Sequence, residues 1–69
     1  MDEHVYKTIE ITGSSESSIE EAVGVAVARA RQSLHNLRWF EVNNIRGHVD
    51  SDKVKYWQVT IKLGMTLDS

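Results

Sequence analysis

Trp39, Gln58 and Arg46 carry the side-chain chemistry that recognises a flat ligand with a polar edge. A surface indole is costly to leave in water, and its broad π face suits stacking on another ring or sealing an interface. A glutamine amide sets a donor beside an acceptor, the complement of a uracil-like edge such as the pyrimidine portion of a flavin. An arginine nearby holds a phosphate, or simply bridges a neighbouring carboxylate. Each type also has a more ordinary use. Packing at a subunit interface is the commoner role of an outward indole, and outward glutamines on strands are commonplace.

No catalytic or metal-binding set accompanies them. The three histidines, His4, His35 and His48, are scattered, none at the close spacing of a zinc site, and there is no cysteine. They fall near a terminus, at a helix end and near a turn, settings of solvated side chains. Spacing justifies no Ser/His/Asp set and no carboxylate pair, so neither a catalytic residue nor a metal ligand is assigned. Gly13-Ser14-Ser15 precedes a helix and could offer amides to an anion. It lacks the lysine and second glycine of a phosphate loop and reads as a capping loop. Glu41 and His48 receive no role.

The elements that must position these residues follow from the hydrophobic pattern. Val5 to Thr12 alternates, with Val5, Ile9 and Ile11 on one side and Tyr6, Thr8, Glu10 and Thr12 on the other. That is a half-buried strand, broken in pattern only at Lys7. The polar run Gly13 to Ser17 is expected to end it. A helix follows, with Ser18 and Glu21 at capping-box spacing and Ser17 with Glu20 equally suited. Ile19, Ala22, Val23, Ala26, Val27, Ala30, Leu34 and Leu37 recur at three- and four-residue steps and predict one apolar stripe. Its middle is mostly alanine and valine, so the helix can approach a sheet closely.

A second strand runs from Trp39 to Val49. Phe40 and Val42 set its inward face, and strict alternation would then bury the charge of Arg46 and expose Ile45. A bulge at Asn43-Asn44 repairs the phase, turning Ile45, Gly47 and Val49 inward and leaving Arg46 and His48 outward with Trp39 and Glu41. Asp50-Ser51-Asp52-Lys53 is a hairpin turn without the favoured glycine. The last strand, Val54 to Leu67, points Trp57, Val59, Ile61, Leu63, Met65 and Leu67 one way and Tyr56, Gln58, Thr60, Lys62 and Thr66 the other. It would span about 46 Å at ~3.3 Å per residue. A helix of about 18 residues covers only about 27 Å. Met65 and Leu67 are therefore expected to lie beyond the helix, against another subunit.

The result is an α+β chain in the order β-α-β-β, a three-stranded antiparallel sheet wrapped on one helix. The last strand is central and the second face of the sheet is uncovered. Residues 1–69 form a single domain. A domain this small is marginal alone. Without cysteine or a metal site, self-association is the expected remedy. Ten acidic against eight basic residues, a net charge of −2, argue against a nucleic-acid partner. No apolar run suits a membrane span, and the start Met1-Asp2-Glu3-His4 lacks the basic and apolar regions of a signal peptide, so a cytoplasmic location is expected.

Taken together, the stretches Thr12-Gly13-Ser14-Ser15, Leu37-Arg38-Trp39-Phe40-Glu41-Val42, Ile45-Arg46-Gly47, Tyr56-Trp57-Gln58-Val59-Thr60 and Lys62-Leu63-Gly64 resemble the dodecins, in order and spacing, across essentially the whole chain. The resemblance implies hollow homododecamers of cubic symmetry that bind flavins in pairs at subunit contacts, stacked between tryptophans of two symmetry-related subunits. It makes Trp39 the stacking tryptophan, Gln58 the reader of the isoalloxazine edge and Arg46 an arginine beside the flavin, as in bacterial members. The implied role is flavin storage, buffering and photoprotection without catalysis. Bacterial members favour flavin mononucleotide (FMN), and archaeal ones favour riboflavin or lumichrome. Where bacterial relatives end with an aromatic and an arginine, this chain has Met65-Thr66. Some members hold coenzyme A through basic residues there, and Thr66 supplies no charge for it. Phosphate recognition then rests on Arg46 or Lys62. Two other readings of the chain are a structural assembly without cofactor and a flavin-dependent oxidoreductase. The latter needs an open ring face that paired tryptophans would close.

Overall fold

The computed structural model describes residues 4–67. The acidic start Met1, Asp2 and Glu3 and the C-terminal Asp68 and Ser69 lie outside the described residues. The elements are β1 (Tyr6–Ser15), α1 (Ile19–Ala30), β2 (Leu37–Asp50) and β3 (Lys53–Thr66). They make a three-stranded antiparallel sheet in the order β1-β3-β2, with β3 central as expected.

The helix begins where the sequence places it but ends sooner. Ser18 is the N-cap, and its hydroxyl accepts the Glu21 amide at 3.0 Å. The reciprocal half of the capping box is replaced. The carboxylate of Glu21 accepts from the buried hydroxyl of Ser15, whose oxygen in turn accepts the amides of Ser17 and Ser18. Ser15 can do this because β1 continues through Gly13 to Ser15 instead of stopping at Thr12. α1 has 12 residues, about 18 Å, not the longer helix the stripe suggests. Its last turn tightens through Gln32 N–H to Arg29 O and Ser33 N–H to Ala30 O. Asn36, at φ 63°, then turns the chain back to the sheet. Leu34 and Leu37 keep the helical spacing without being helical, because both fold back onto the core from the connection and from β2.

The core is the layer between α1 and the centre of the sheet: Ala22, Ala26 and Ala30 against Val59, Ile61 and Leu63. The alanine stripe allows close approach, and Gly13 completes it. A Cβ at Gly13 would stand 2.2 Å from the carbonyl oxygen of Ala22 and 2.8 Å from the Cβ of Ala26. Met65, expected to await another subunit, is only 6 % exposed within the chain, whereas Leu67 is exposed. The apolar surface left open lies on β2. Phe40, Val42 and Ile45 are half exposed on the helix side of the sheet, because α1 packs on β1 and β3. A cleft of about 160 Å³, lined by Val27, Leu37, Phe40 and Leu63 among others, marks where the helix fails to close over β2. Beyond the pairing of β1 with Trp57, the β2–β3 hairpin projects as a two-stranded arm, ending at an Asp50–Lys53 turn.

Candidate ligand-binding face

The phase of β2 decides which side chains share the outer face. Its register with β3 shifts between Val42 and Asn44, so Asn43 is the extra residue and the expected bulge is present. After it, Ile45 pairs with Val59 and Gly47 with Trp57 on the helix side, while Arg46 pairs with Gln58 and His48 with Tyr56 on the outside. Two further shifts, between Leu37 and Trp39 and between His48 and Val49, have no clear sign in the alternation. The first leaves Arg38 unpaired and brings Trp39 opposite Gly64.

That pairing fixes the indole. Trp39 lies flat across Gly64: an added Cβ there would sit 2.1 Å from Cε2 and 2.2 Å from Cζ2 of the ring. Tyr6, reaching over from β1, meets the indole edge to face with centroids 5.9 Å apart and planes at 65°. Trp39 nonetheless keeps 38 % of its surface exposed, although one face of the ring lies against the sheet at Gly64. A glycine inside a strand is a sign of such close approach, so Gly64 was available to sequence reasoning as a seat for a ring. Tyr6 was not, since only the register brings it there.

Gln58 and Arg46 are brought together as cross-strand partners. Gln58 also pairs with Ser14 on its other side, and with Ser14, Ser15, Glu16 and Tyr56 it lines an open cavity of about 390 Å³. The Nε of Arg46 donates to Oδ1 of Asn44 at 3.1 Å, which leaves its terminal amino groups to other acceptors. Next in line, His48 and Tyr56 stack with centroids 4.4 Å apart and planes within 14°. Trp39 is not part of this group. Its partner Gly64 lies six residues along β3 from Gln58, about 20 Å on the same face.

Between the two ends the face is polar and cross-linked. Lys62 stands between Glu10 and Glu41 and is ion-paired with the latter at 3.8 Å. The side-chain amide of Asn43 in the bulge donates to Glu10 at 2.6 Å. Thr12 and Thr60 share a hydroxyl hydrogen bond of 2.8 Å. These exposed contacts are individually weak, but they surround Lys62 with carboxylates. Among the described residues no group of three or more His, Cys, Asp or Glu side chains could hold a metal ion, and no helix is long and apolar enough to cross a membrane.

Comparison with known proteins follows the same pattern. The family model for dodecin matches residues 5–68. The chain belongs to the dodecin family. It is 45 % identical to the dodecin of Thermus thermophilus over 64 residues, 93 % of each chain. Among solved structures, the dodecin from Streptomyces coelicolor is similar with a TM-score of 0.92 at 42 % identity, over 100 % of this chain and 99 % of that one. The calcium dodecin of Mycobacterium tuberculosis, described as a calcium-chelating antigen with a novel calcium-binding site, is similar with a TM-score of 0.80 at 33 % identity, over 93 % and 91 %. Dodecin membership bears out the resemblance of the ordered stretches from Thr12 to Gly64, and the β-α-β-β fold agrees with it.

Proposed function

We propose that this dodecin is a non-catalytic flavin-binding protein that stores, buffers and photoprotects flavin, FMN above all, at the contacts of a homododecamer. The observation that carries the reading is the indole of Trp39, seated over Gly64 on the outer face of the sheet and still 38 % exposed. A three-ring isoalloxazine is the natural complement of such a surface. An indole stacked on an excited flavin quenches it by electron transfer, which is the photoprotective step. Gln58 would hydrogen-bond the pyrimidine edge, and Arg46 would orient the ligand or meet its phosphate.

The separation of Trp39 from Gln58 adds a condition. One ring cannot lie on Trp39 and touch Gln58 of the same chain across about 20 Å, so the site joins the tryptophan of one subunit to the glutamine and arginine of another. Self-association also suits the apolar strip on β2 and the projecting hairpin, whose Val49 and Val54 are exposed. A surface of this kind is characteristic of an interface.

Lys62 is less suited to a phosphate than Arg46, because Glu10 and Glu41 flank it. Riboflavin and lumichrome fit the same stacking surface without using the arginine, and Thr66 offers coenzyme A no charge.

The test is titration of the ligand-free oligomer into FMN and into riboflavin, following flavin fluorescence, with native mass spectrometry for the assembly. Strong quenching near one flavin per subunit in a dodecamer is expected, and Trp39→Ala should abolish most of it. An assembly that quenches neither flavin would refute the flavin reading.

A further inference from the structure

We infer that Gly64 is a positioning residue for the ligand: by lacking a side chain it makes Trp39 a one-sided stacking platform. The inference rests on the flavin reading for the identity of the ligand, but not for the geometry of the platform.

The argument starts from the strand. Outward positions of β3 on either side of Gly64 carry Lys62 and Thr66, so a side chain at 64 would rise from the same face. The three atoms nearest to an added Cβ are all in the Trp39 indole, at 2.1, 2.2 and 2.6 Å, and none is backbone. No real Cβ tolerates such distances, so any residue but glycine must lift or swing the ring. Gly64 is buried, and the atoms nearest to its missing Cβ belong to the side chain of Trp39, one of its two cross-strand partners. Its role is therefore to the indole, not to a turn or to the helix. The contrast with Gly13 is direct, since a Cβ there meets backbone of α1.

Two consequences follow for recognition. With one face occupied by the sheet, each indole can stack on one planar ring only. Tyr6 meets the indole with the two planes at 65°, so the plane of the indole, and hence of any ring laid on it, is set by Gly64 and Tyr6 together. The ligand class this suits is a fused planar heteroaromatic with a broad face. A lifted indole would present an edge or a tilted plane and lose the overlap that stacking and quenching both require.

The experiment uses the assembled full-length protein. Gly64→Ala is made alone, with Trp39→Ala, and in a Trp57→Phe background in which Trp39 is the sole tryptophan of the two in the chain. Gly64→Ala is expected to weaken FMN binding by about tenfold or more, the loss of one ring-stacking contact. It should have no further effect on residual affinity once Trp39 is alanine. In the single-tryptophan protein without ligand, the same change should increase acrylamide quenching of Trp39 and red-shift its emission. Wild-type FMN affinity in Gly64→Ala, or an unchanged emission, would overturn the proposal. Should Gly64→Ala fail to assemble, the Trp39→Ala/Gly64→Ala double variant must assemble, since the indole is what the methyl meets; failure of the double variant overturns it as well. Unchanged emission rejects the platform, whereas a changed emission in a protein that takes up no flavin rejects the flavin reading and keeps the platform.

Discussion

Trp39 and Gln58 stand on the same face of the sheet but at opposite ends of its three-stranded part, because the strand partner of Trp39 is Gly64, six residues along β3 from Gln58. At ~3.3 Å per residue that is about 20 Å, more than one flavin ring system can bridge. Two residues that sequence reasoning would assign to one site could thus act on one ligand only across a subunit boundary.

Complementation between defective subunits tests this. Trp39→Ala and Gln58→Ala homo-oligomers should each bind flavin weakly. Unfolding the two together and reassembling them as mixed oligomers should restore quenching at a fraction of sites, where an intact Trp39 meets an intact Gln58 of a different chain. A site built within one chain would gain nothing from mixing, because every chain would carry one defect. Flavin fluorescence of the mixed oligomer against the two parents is the measurement.

Arg46 and Lys62 should separate in their response to the phosphate. Arg46 donates through Nε to Asn44, beside Gln58, whereas Lys62 is engaged with Glu41. Replacing Arg46 with Ala is expected to weaken FMN binding about tenfold while changing riboflavin far less, consistent with a charge-assisted contact of roughly 1.5 kcal/mol. Lys62→Ala should leave the ratio of the two affinities nearly unchanged. Equal losses for FMN and riboflavin in Arg46→Ala would show that the arginine does not read the phosphate.

Much of this arrangement was legible in the residues, for identifiable reasons. The conflict between Phe40, Val42 and Ile45 on one side and Arg46 on the other could be relieved only by an extra residue, so the bulge at Asn43 and the outward set followed from charge and alternation. The helix end did not, because Leu34 and Leu37 continue a helical spacing while serving the core from non-helical backbone. The strand end did not, because Gly13 and Ser15 look like loop residues when read locally. Their reason lies in the helix, whose backbone passes too close for any side chain at Gly13 and whose first amides need the hydroxyl of Ser15. The open apolar strip on β2 was misplaced to the end of β3 for the same reason. Helix length alone does not say which pair of strands the helix covers.

The Ser15 hydroxyl should matter more than the N-cap itself. Ser15 is buried, accepts two amides and donates to Glu21, so its loss leaves several polar groups short of partners and is expected to cost about 1–3 kcal/mol. Ser18→Ala removes one exposed capping bond and should cost about 1 kcal/mol. Chemical denaturation of both variants, followed by far-ultraviolet circular dichroism, gives the order. A Ser15→Ala protein as stable as the parent would mean that water replaces the hydroxyl at the helix start.

The hairpin turn offers a change that should stabilise. Ser51 and Asp52 both adopt left-handed backbone, φ 53° and 67°, the pattern of a type I′ turn that glycine and asparagine favour. A non-glycine residue there costs roughly 1–2 kcal/mol of steric strain, reduced for aspartate by its short polar side chain. Glycine removes the strain but loses more backbone freedom on folding, about 0.5–1 kcal/mol. The balance for Asp52→Gly is a gain of up to about 1 kcal/mol, and the same change at Ser51, which lacks the tolerance of aspartate, should gain at least as much. Neither substitution touches Trp39, Gln58 or Arg46, so flavin quenching should stay at the parental level while the thermal midpoint rises. A midpoint that falls in both variants would mean that the side chains at the tip, including the Ser51 hydroxyl beside Asp50, hold the turn more firmly than its backbone strain loosens it.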